Sequence, residues 1–227
     1  MAALLFDIET APLPDAAGYL EPATAPANYK DPEKIASYIA EEQAKQLSKC
    51  ALDLDLCRVI AIGVWCPDEA APLDIDLCPD ETEERAALQL FWHILRTFPQ
   101  ADLVGFNVIG FDLPVLMRRS LYLGLKYPKL VLNKYRPGRV VDIQQELSHQ
   151  GLLKYRSQDF YCKRFGITVD DPVTEGAQIP TLAEAGEWGT IAAHCRADLY
   201  RLHGLAEKLG ILQPKPAVEL PDLDTVL

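Results

Sequence analysis

Four carboxylates and one histidine stand in otherwise apolar stretches of this chain. Asp7 and Glu9 lie two apart in Leu4-Leu5-Phe6-Asp7-Ile8-Glu9. In an extended backbone Leu4, Phe6 and Ile8 point one way, and Leu5, Asp7 and Glu9 the other. Two carboxylates side by side repel each other, and burial raises the pKa of each. A divalent cation relieves both problems; a strand that stops at Asp7 and leaves both acids in water is the alternative. Asp198 lies on the helical stripe Ile191, Cys195, Asp198, Leu202, Leu205, Leu209, where an unpaired charge is costly. His194 is one turn earlier, on the same side of the helix, and Arg196 and Arg201 offer a purely structural pair instead. Asp112 stands between a Gly-containing loop and a helix that it is expected to cap, which alone would explain it. If the acids converge, they can gather hard cations, and His194 can move a proton beside them, since a free imidazole changes charge near neutrality.

The elements that must position these residues are legible from periodicity. Residues 2–8, 57–66, 72–77, 102–106 and 139–142 read as strands. Helices are expected at 80–98, 113–123, 143–150, 156–164 and 191–209. In the first of these Asp80 is the N-cap, Glu83 its capping-box partner, and Leu88, Phe91, Trp92 and Leu95 the buried face; Gly210 closes the last. Three strands, then helices alternating with single strands, suit an α/β fold with a mixed five-stranded sheet flanked by helices. Between the first two strands lies an insertion, residues 10–56. Its first half is rich in Pro and Ala, and its second half, Asp31 to Lys49, reads as a helix with Asp31 as N-cap and Pro32 at the first position. A cover over one end of the sheet is the expected role. One domain over 1–213 is expected, with a poorly ordered tail at 214–227.

Composition narrows the class. The chain of 227 residues is 49% hydrophobic and 24% charged, ordinary for a globular protein. No apolar run approaches the roughly 20 residues of a membrane span, and Asp7 comes too early for a signal peptide, so a cytoplasmic protein is expected. The six cysteines form no C-x-x-C pair and read as buried small hydrophobes in a reducing compartment. A net charge of −11 disfavours a protein that coats duplex nucleic acid. It is compatible with an enzyme that grips a few nucleotides at one strand end, where bound cations supply positive charge.

Taken together, the motifs resemble those of the DEDD superfamily of 3′–5′ exonucleases. Phe6-Asp7-Ile8-Glu9-Thr10 is similar to the first exonuclease motif. Gly105-Phe106-Asn107 followed by Phe111-Asp112-Leu113-Pro114 is similar to the second, as found in the proofreading domains of family B DNA polymerases. His194-Cys195-Arg196-Ala197-Asp198 sits where the third should be, with a histidine at the spacing that relatives fill with tyrosine. The resemblance spans roughly residues 4–210 and implies a ribonuclease-H-like fold. It implies two-metal hydrolysis with Mg²⁺ or Mn²⁺ held by Asp7, Glu9, Asp112 and Asp198, and with His194 as general base. Each turnover would release a nucleoside 5′-monophosphate from a nucleic-acid 3′ end, single-stranded DNA being favoured over RNA or oligoribonucleotides. Thr10 is expected near the terminal nucleotide, and Asn107 either to contact substrate or to fix its loop. A catalytically weak nucleic-acid-binding relative is the competing expectation. No polymerase region is recognisable, so proofreading would need a polymerase or repair partner in trans.

Overall fold

A computed structural model describes residues 3–66, 69–133 and 138–212. The expected tail at 214–227 lies outside the described residues. Five strands form one sheet in the order β3-β2-β1-β4-β5: β1 (Ala3–Pro12), β2 (Cys57–Trp65), β3 (Asp76–Leu77), β4 (Asp102–Gly105) and β5 (Val140–Asp142). The first three are antiparallel neighbours, and β4 and β5 run parallel to β1. The β1–β2 connection is the long insertion and the β2–β3 connection spans residues 66–75; both return the chain antiparallel beside the strand before, while the helical crossovers that follow bring later strands back in parallel. This is the α/β, ribonuclease-H-like mixed five-stranded sheet flanked by helices that the element order and the motifs imply.

Seven α-helices accompany the sheet among the described residues: α1 (Pro32–Lys49), α2 (Glu81–Thr97), α3 (Asp112–Tyr122), α4 (Ile143–Leu147), α5 (Gln158–Phe165), α6 (Ile179–Glu184) and α7 (Trp188–Lys208). The period-2 pattern of β1 sorts them into two layers. Leu4, Phe6 and Ile8 join Leu88, Phe91, Trp92 and Leu95 of α2 and Leu113 and Leu116 of α3 in one core. Ala3 and Leu5, on the opposite face, pack with Leu199, Leu202 and Leu205 of α7. Between α2 and α3 a buried ion pair is clamped in two places: the Arg119 Nε and Nη2 donate to Glu84 at 2.7 Å each. Glu84 also accepts the Val59 amide at 2.9 Å, so the pair ties both helices to β2.

Several boundaries differ from expectation. β1 runs on to Pro12, past Asp7 and Glu9, so the two acids are inside a strand and not in water beyond its end. The third strand is reduced to Asp76–Leu77, because the acids and prolines before it offer little apolar face. α7 starts at Trp188, and α6 has no expected counterpart; its short apolar stripe is too brief to stand out as a period. The segment expected to be helical to residue 150 stops at Leu147 and turns through His149, Gln150 and Gly151, all at positive φ. Asp80 caps α2 as expected, accepting from Thr82 and Glu83 amides. Asp112 does not cap α3: it is the first helical residue, Phe111 holds the cap position, and no side chain caps the end.

The insertion contains the expected helix, with the Asp31 side chain accepting from the Glu33 amide. Of its 18 residues none is buried. Two bonds fasten its end to the sheet: the Thr10 hydroxyl donates to the Ala51 carbonyl at 2.6 Å, and the Leu13 amide to the Leu56 carbonyl at 2.8 Å. All six cysteines are free thiols, five of them buried. No helix among the described residues is long and apolar enough to cross a membrane.

Candidate metal centre

The carboxyl ends of the parallel strands build the site. β4 pairs with β1 only from Ala3 to Leu5, so beyond Leu5 a loop, residues 106–111, stands where a strand would continue. That loop is held by Asp142 at the end of β5. Its carboxylate accepts the amides of Asn107 and Ile109 at 3.0 Å each, and also those of Gln144 and Gln145 at the start of α4. Burial pushes the Asp142 carboxyl up, and these four amides work against that. Asn107 takes a left-handed φ of 61° to present its amide, a conformation that asparagine tolerates better than most residues. Its side-chain oxygen lies 2.5 Å from where a Cβ on Gly110 would sit, so a larger residue there would displace the Asn107 side chain. Asn107 therefore shapes the loop through its backbone.

Helix α7 closes the site from the other layer. Gly63 pairs with Asp7 across β1 and β2. A Cβ there would come within 2.8 Å of Leu199 and 2.9 Å of the Cys195 Sγ. The missing side chain lets α7 lie against the sheet and brings Cys195 and Asp198 over β1. After Glu9 the β1–β2 register slips, with Glu9 opposite Ala61 and Thr10 opposite Val59. Such a bulge bends a strand locally, here at the last of the β1 acids.

Asp7, Glu9, Asp112 and Asp198 converge. Burial, then the charges of Asp198, Glu9 and Asp112, push the Asp7 carboxyl well above the carboxylate range. Burial and the charges of Asp198, Asp112 and Asp171 do the same to Glu9. Burial raises Asp112 to about 7, against the opposing pull of the amides of Asp112 and Ile8. Burial raises Asp198 too, and His194 and Arg201 offset part of it. The Glu9 Oε1 is buried and has no hydrogen-bond partner among the described residues, the state a metal ligand has before its ion arrives.

His194 faces this cluster. Its Nε2 lies 3.5 Å from the Asp198 Oδ2 and 3.7 Å from the Glu9 Oε1. Its Nδ1 lies 2.9 Å from the Asp171 Oδ2 and 3.1 Å from Oδ1. Burial works against the charge of Asp171, but the Val173 amide, Arg201 and His194 outweigh it and hold its carboxyl below the usual range. An ionised carboxylate only accepts, so Asp171 assigns the proton to Nδ1 and leaves the Nε2 lone pair toward the acids. Arg201 spans both, 2.7 Å from Asp171 and 2.5 Å from Asp198. Asp171 and Arg201 were not among the expected site residues. Arg201 was visible only as a pairing option for Asp198, and Asp171 lies in a loop with no local pattern to mark it.

The donor set fits divalent cations. One ligand atom each from Asp7, Glu9 and Cys195 lies within 4.8 Å of the others, and so do atoms of Glu9, His194 and Asp198. Asp112 is in neither group, yet its charge is felt at both Asp7 and Glu9. The carboxylate oxygens of Asp7, Glu9 and Asp198 are hard donors that suit Mg²⁺ or Mn²⁺. Burial and the surrounding acids push the Cys195 thiol well up, and a soft thiolate is not a donor that Mg²⁺ or Mn²⁺ selects. Thr10 is buried, and its hydroxyl hydrogen is committed to Ala51.

The sheet order, the two helical layers and acids gathered at the strand ends define a nuclease-like α/β domain. Residues 51–203 match the family described as predicted 3′–5′ exonucleases related to the exonuclease domain of PolB, and the chain belongs to that family. It is 33% identical over 132 residues to an uncharacterized protein of Methanocaldococcus jannaschii, covering 57% of this chain and 69% of that one. The fold is similar to that of the family B DNA polymerase from the hyperthermophilic archaeon Pyrobaculum calidifontis, with a TM-score of 0.61 and 19% identity over 92% of this chain. The chain spans only 24% of that polymerase.

Proposed function

We propose that the protein is a metal-dependent 3′–5′ exonuclease that removes nucleoside 5′-monophosphates from single-stranded 3′ ends. The observation that carries this is the unpartnered Glu9 Oε1, buried among Asp7 and Asp198 and 3.7 Å from the His194 Nε2. Stability alone does not favour such an arrangement. Burial and neighbouring acids push these carboxyls up, and among the described residues His194 and Arg201 offset only part of it.

Asp7, Glu9 and Asp198 would hold the cations, with Asp112 contributing from the far side. When bound, two divalent cations would neutralise charge on the scissile phosphate and lower the pKa of the attacking water. His194 would take the proton of that water at Nε2, its ring held by Asp171 through Nδ1. Arg201 keeps Asp198 and Asp171 in place. Thr10 and Asn107 border the position of the terminal nucleotide, Thr10 through its remaining oxygen lone pairs and Asn107 by holding its loop.

The test is incubation of 5′-labelled single-stranded DNA and RNA with Mg²⁺, Mn²⁺ or EDTA, beside an Asp7→Ala/Glu9→Ala variant. A ladder that shortens from the 3′ end, needs metal and is absent in the variant is expected, faster on DNA. No cleavage of either polymer under any metal condition would replace the enzyme with a binding relative.

A further inference from the structure

An uninterrupted line of aromatic rings leads away from the acid cluster. Phe106 directly precedes Asn107 in the loop beside β1. Its ring lies 6.4 Å from that of Tyr161, centroid to centroid, and Tyr161 lies 5.5 Å from Phe160. The Arg156 guanidinium sits over the Phe160 ring at 4.8 Å. The segment that carries Phe160 and Tyr161 is anchored to the site at two points. The Gln158 side-chain amide donates to the Asp198 carbonyl at 3.1 Å, and the Tyr155 hydroxyl donates to Gln145 at 3.1 Å, next to the Asp142 hub. Phe106 and Tyr161 are half-buried, whereas Tyr155 and Phe160 are exposed, at 44% and 37%.

Charge sets this strip apart from the rest of a chain with a net charge of −11. Residues 154–164 carry four cations, Lys154, Arg156, Lys163 and Arg164, against one acid, Asp159. Asp159 is already paired with Lys163 at 2.8 Å, which leaves three cations free of acids on the strip. Exposed aromatic faces alternating with cations are the requirement for a single strand: bases stack on the rings, and phosphates meet the charges. A folded protein partner would need a broad apolar face, and a duplex would keep its bases from the rings.

We propose that Tyr155, Phe160, Lys154 and Arg156 form the path for the single strand upstream of the scissile nucleotide. The inference rests on the exonuclease reading of the neighbouring cluster and names the surface that feeds it. Bases stack against Tyr155 and the side of Phe160 that Arg156 does not cover, and Lys154 and Arg156 take the intervening phosphates.

The test is fluorescence anisotropy of a 5′-labelled oligothymidylate 12-mer in EDTA, so that no cleavage intervenes. Against wild type, a Tyr155→Ala/Phe160→Ala variant should bind at least about tenfold more weakly, with an unchanged melting temperature. Tyr155→Phe, which keeps the ring and loses only the bond to Gln145, should bind like wild type. Lys154→Gln/Arg156→Gln should reduce the slope of log Kd against log salt by about 1.4. Wild type that fails to bind, or a double-alanine variant within twofold of wild type, would overturn the proposal. Shortening of the same strand by wild type in Mn²⁺ tests the exonuclease separately. Binding lost in the variant without shortening by wild type leaves the strip standing and removes the nuclease, and the opposite pair of results does the reverse.

Discussion

Lowering the pH should stabilise the metal-free protein, and adding metal should do so only at higher pH. The cause is the set of buried acids whose folded-state pKa values lie above their unfolded ones. Such a group binds its proton more tightly when folded, so its stability contribution is complete below the unfolded pKa and is lost as the pH rises through the folded value. For Asp112 the window runs from 3.8 to about 7. Asp112 is half protonated at about pH 7, so the full slope of roughly 1.4 kcal/mol per pH unit is reached only below it, and acidifying from pH 7 to 5.5 recovers about 1.6 kcal/mol from this group alone. For a chain of this size that is about 3–6 °C in melting temperature. Asp7, Glu9 and Asp198 are raised in the same sense. At pH 8 a cation at about 100 times its Kd should add about 2.7 kcal/mol, and at pH 5.5 protons should compete it away. The assay is differential scanning fluorimetry from pH 5.5 to 8 in EDTA and in Mn²⁺, on wild type and on Asp112→Asn. Asparagine has no proton to gain, so the variant should melt higher than wild type at pH 8 in EDTA and show a shallower pH dependence. That comparison separates the site from general relief of the −11 net charge. An Asp112→Asn slope equal to that of wild type, or a wild-type melting temperature that falls on mild acidification, would refute the reasoning.

Three further outcomes follow from contacts around the cluster. Asp171→Asn should lower kcat on single-stranded DNA by about 10–100-fold with little change in KM, since the ring of His194 loses the partner that orients it; steady-state kinetics on a labelled strand would show this. Arg119→Met leaves the Glu84 carboxylate buried without its cation and should cost about 3–5 kcal/mol in urea unfolding. Joint replacement as Glu84→Leu/Arg119→Met should recover much of that. Gly63→Ala forces Leu199 and Cys195 away from β2 and should cost about 1–3 kcal/mol. It should also weaken Mn²⁺ binding by calorimetry, because Asp198 moves with the same helix.

The parts of the fold that follow a strong period were open to the sequence. The alternation of Leu4, Phe6 and Ile8 against Leu5, Asp7 and Glu9 became two cores on opposite faces of β1. The stripe of Leu202 and Leu205 became the face of α7 that packs on Leu5. Elements without a period were not open in this way. Asp112 looked like a helix cap because acids commonly are, whereas its buried carboxylate faces the Ile8 amide on a strand about 100 residues away. Asp142 looked like the end of a strand and turned out to hold the 106–111 loop. Both roles depend on long-range placement, which no local spacing encodes. Asp171 is the clearest case: it sits between Asp170 and Pro172 in a loop, and only the arrival of α7 gives it His194 and Arg201.

The spacing of the third motif is where sequence and geometry inform each other most. Four residues of helix advance the chain by about 6 Å and rotate it by about 400°, so His194 and Asp198 share a face, one turn apart. Shared facing alone would let the imidazole pair with Asp198 and do nothing else. What prevents that is Asp171, which takes the Nδ1 side of the ring at 2.9 Å while Arg201 takes the other Asp198 oxygen at 2.5 Å. Asp171 and Arg201 thus each take one member of the pair, the histidine ring and Asp198, that the helix would otherwise bring together. The Nε2 of His194 is left with only long contacts, 3.5 and 3.7 Å, to Asp198 and Glu9. A ring held firmly on one side and loosely on the side of the acids is free to exchange a proton there, and this is why the histidine spacing is compatible with the chemistry proposed for the site.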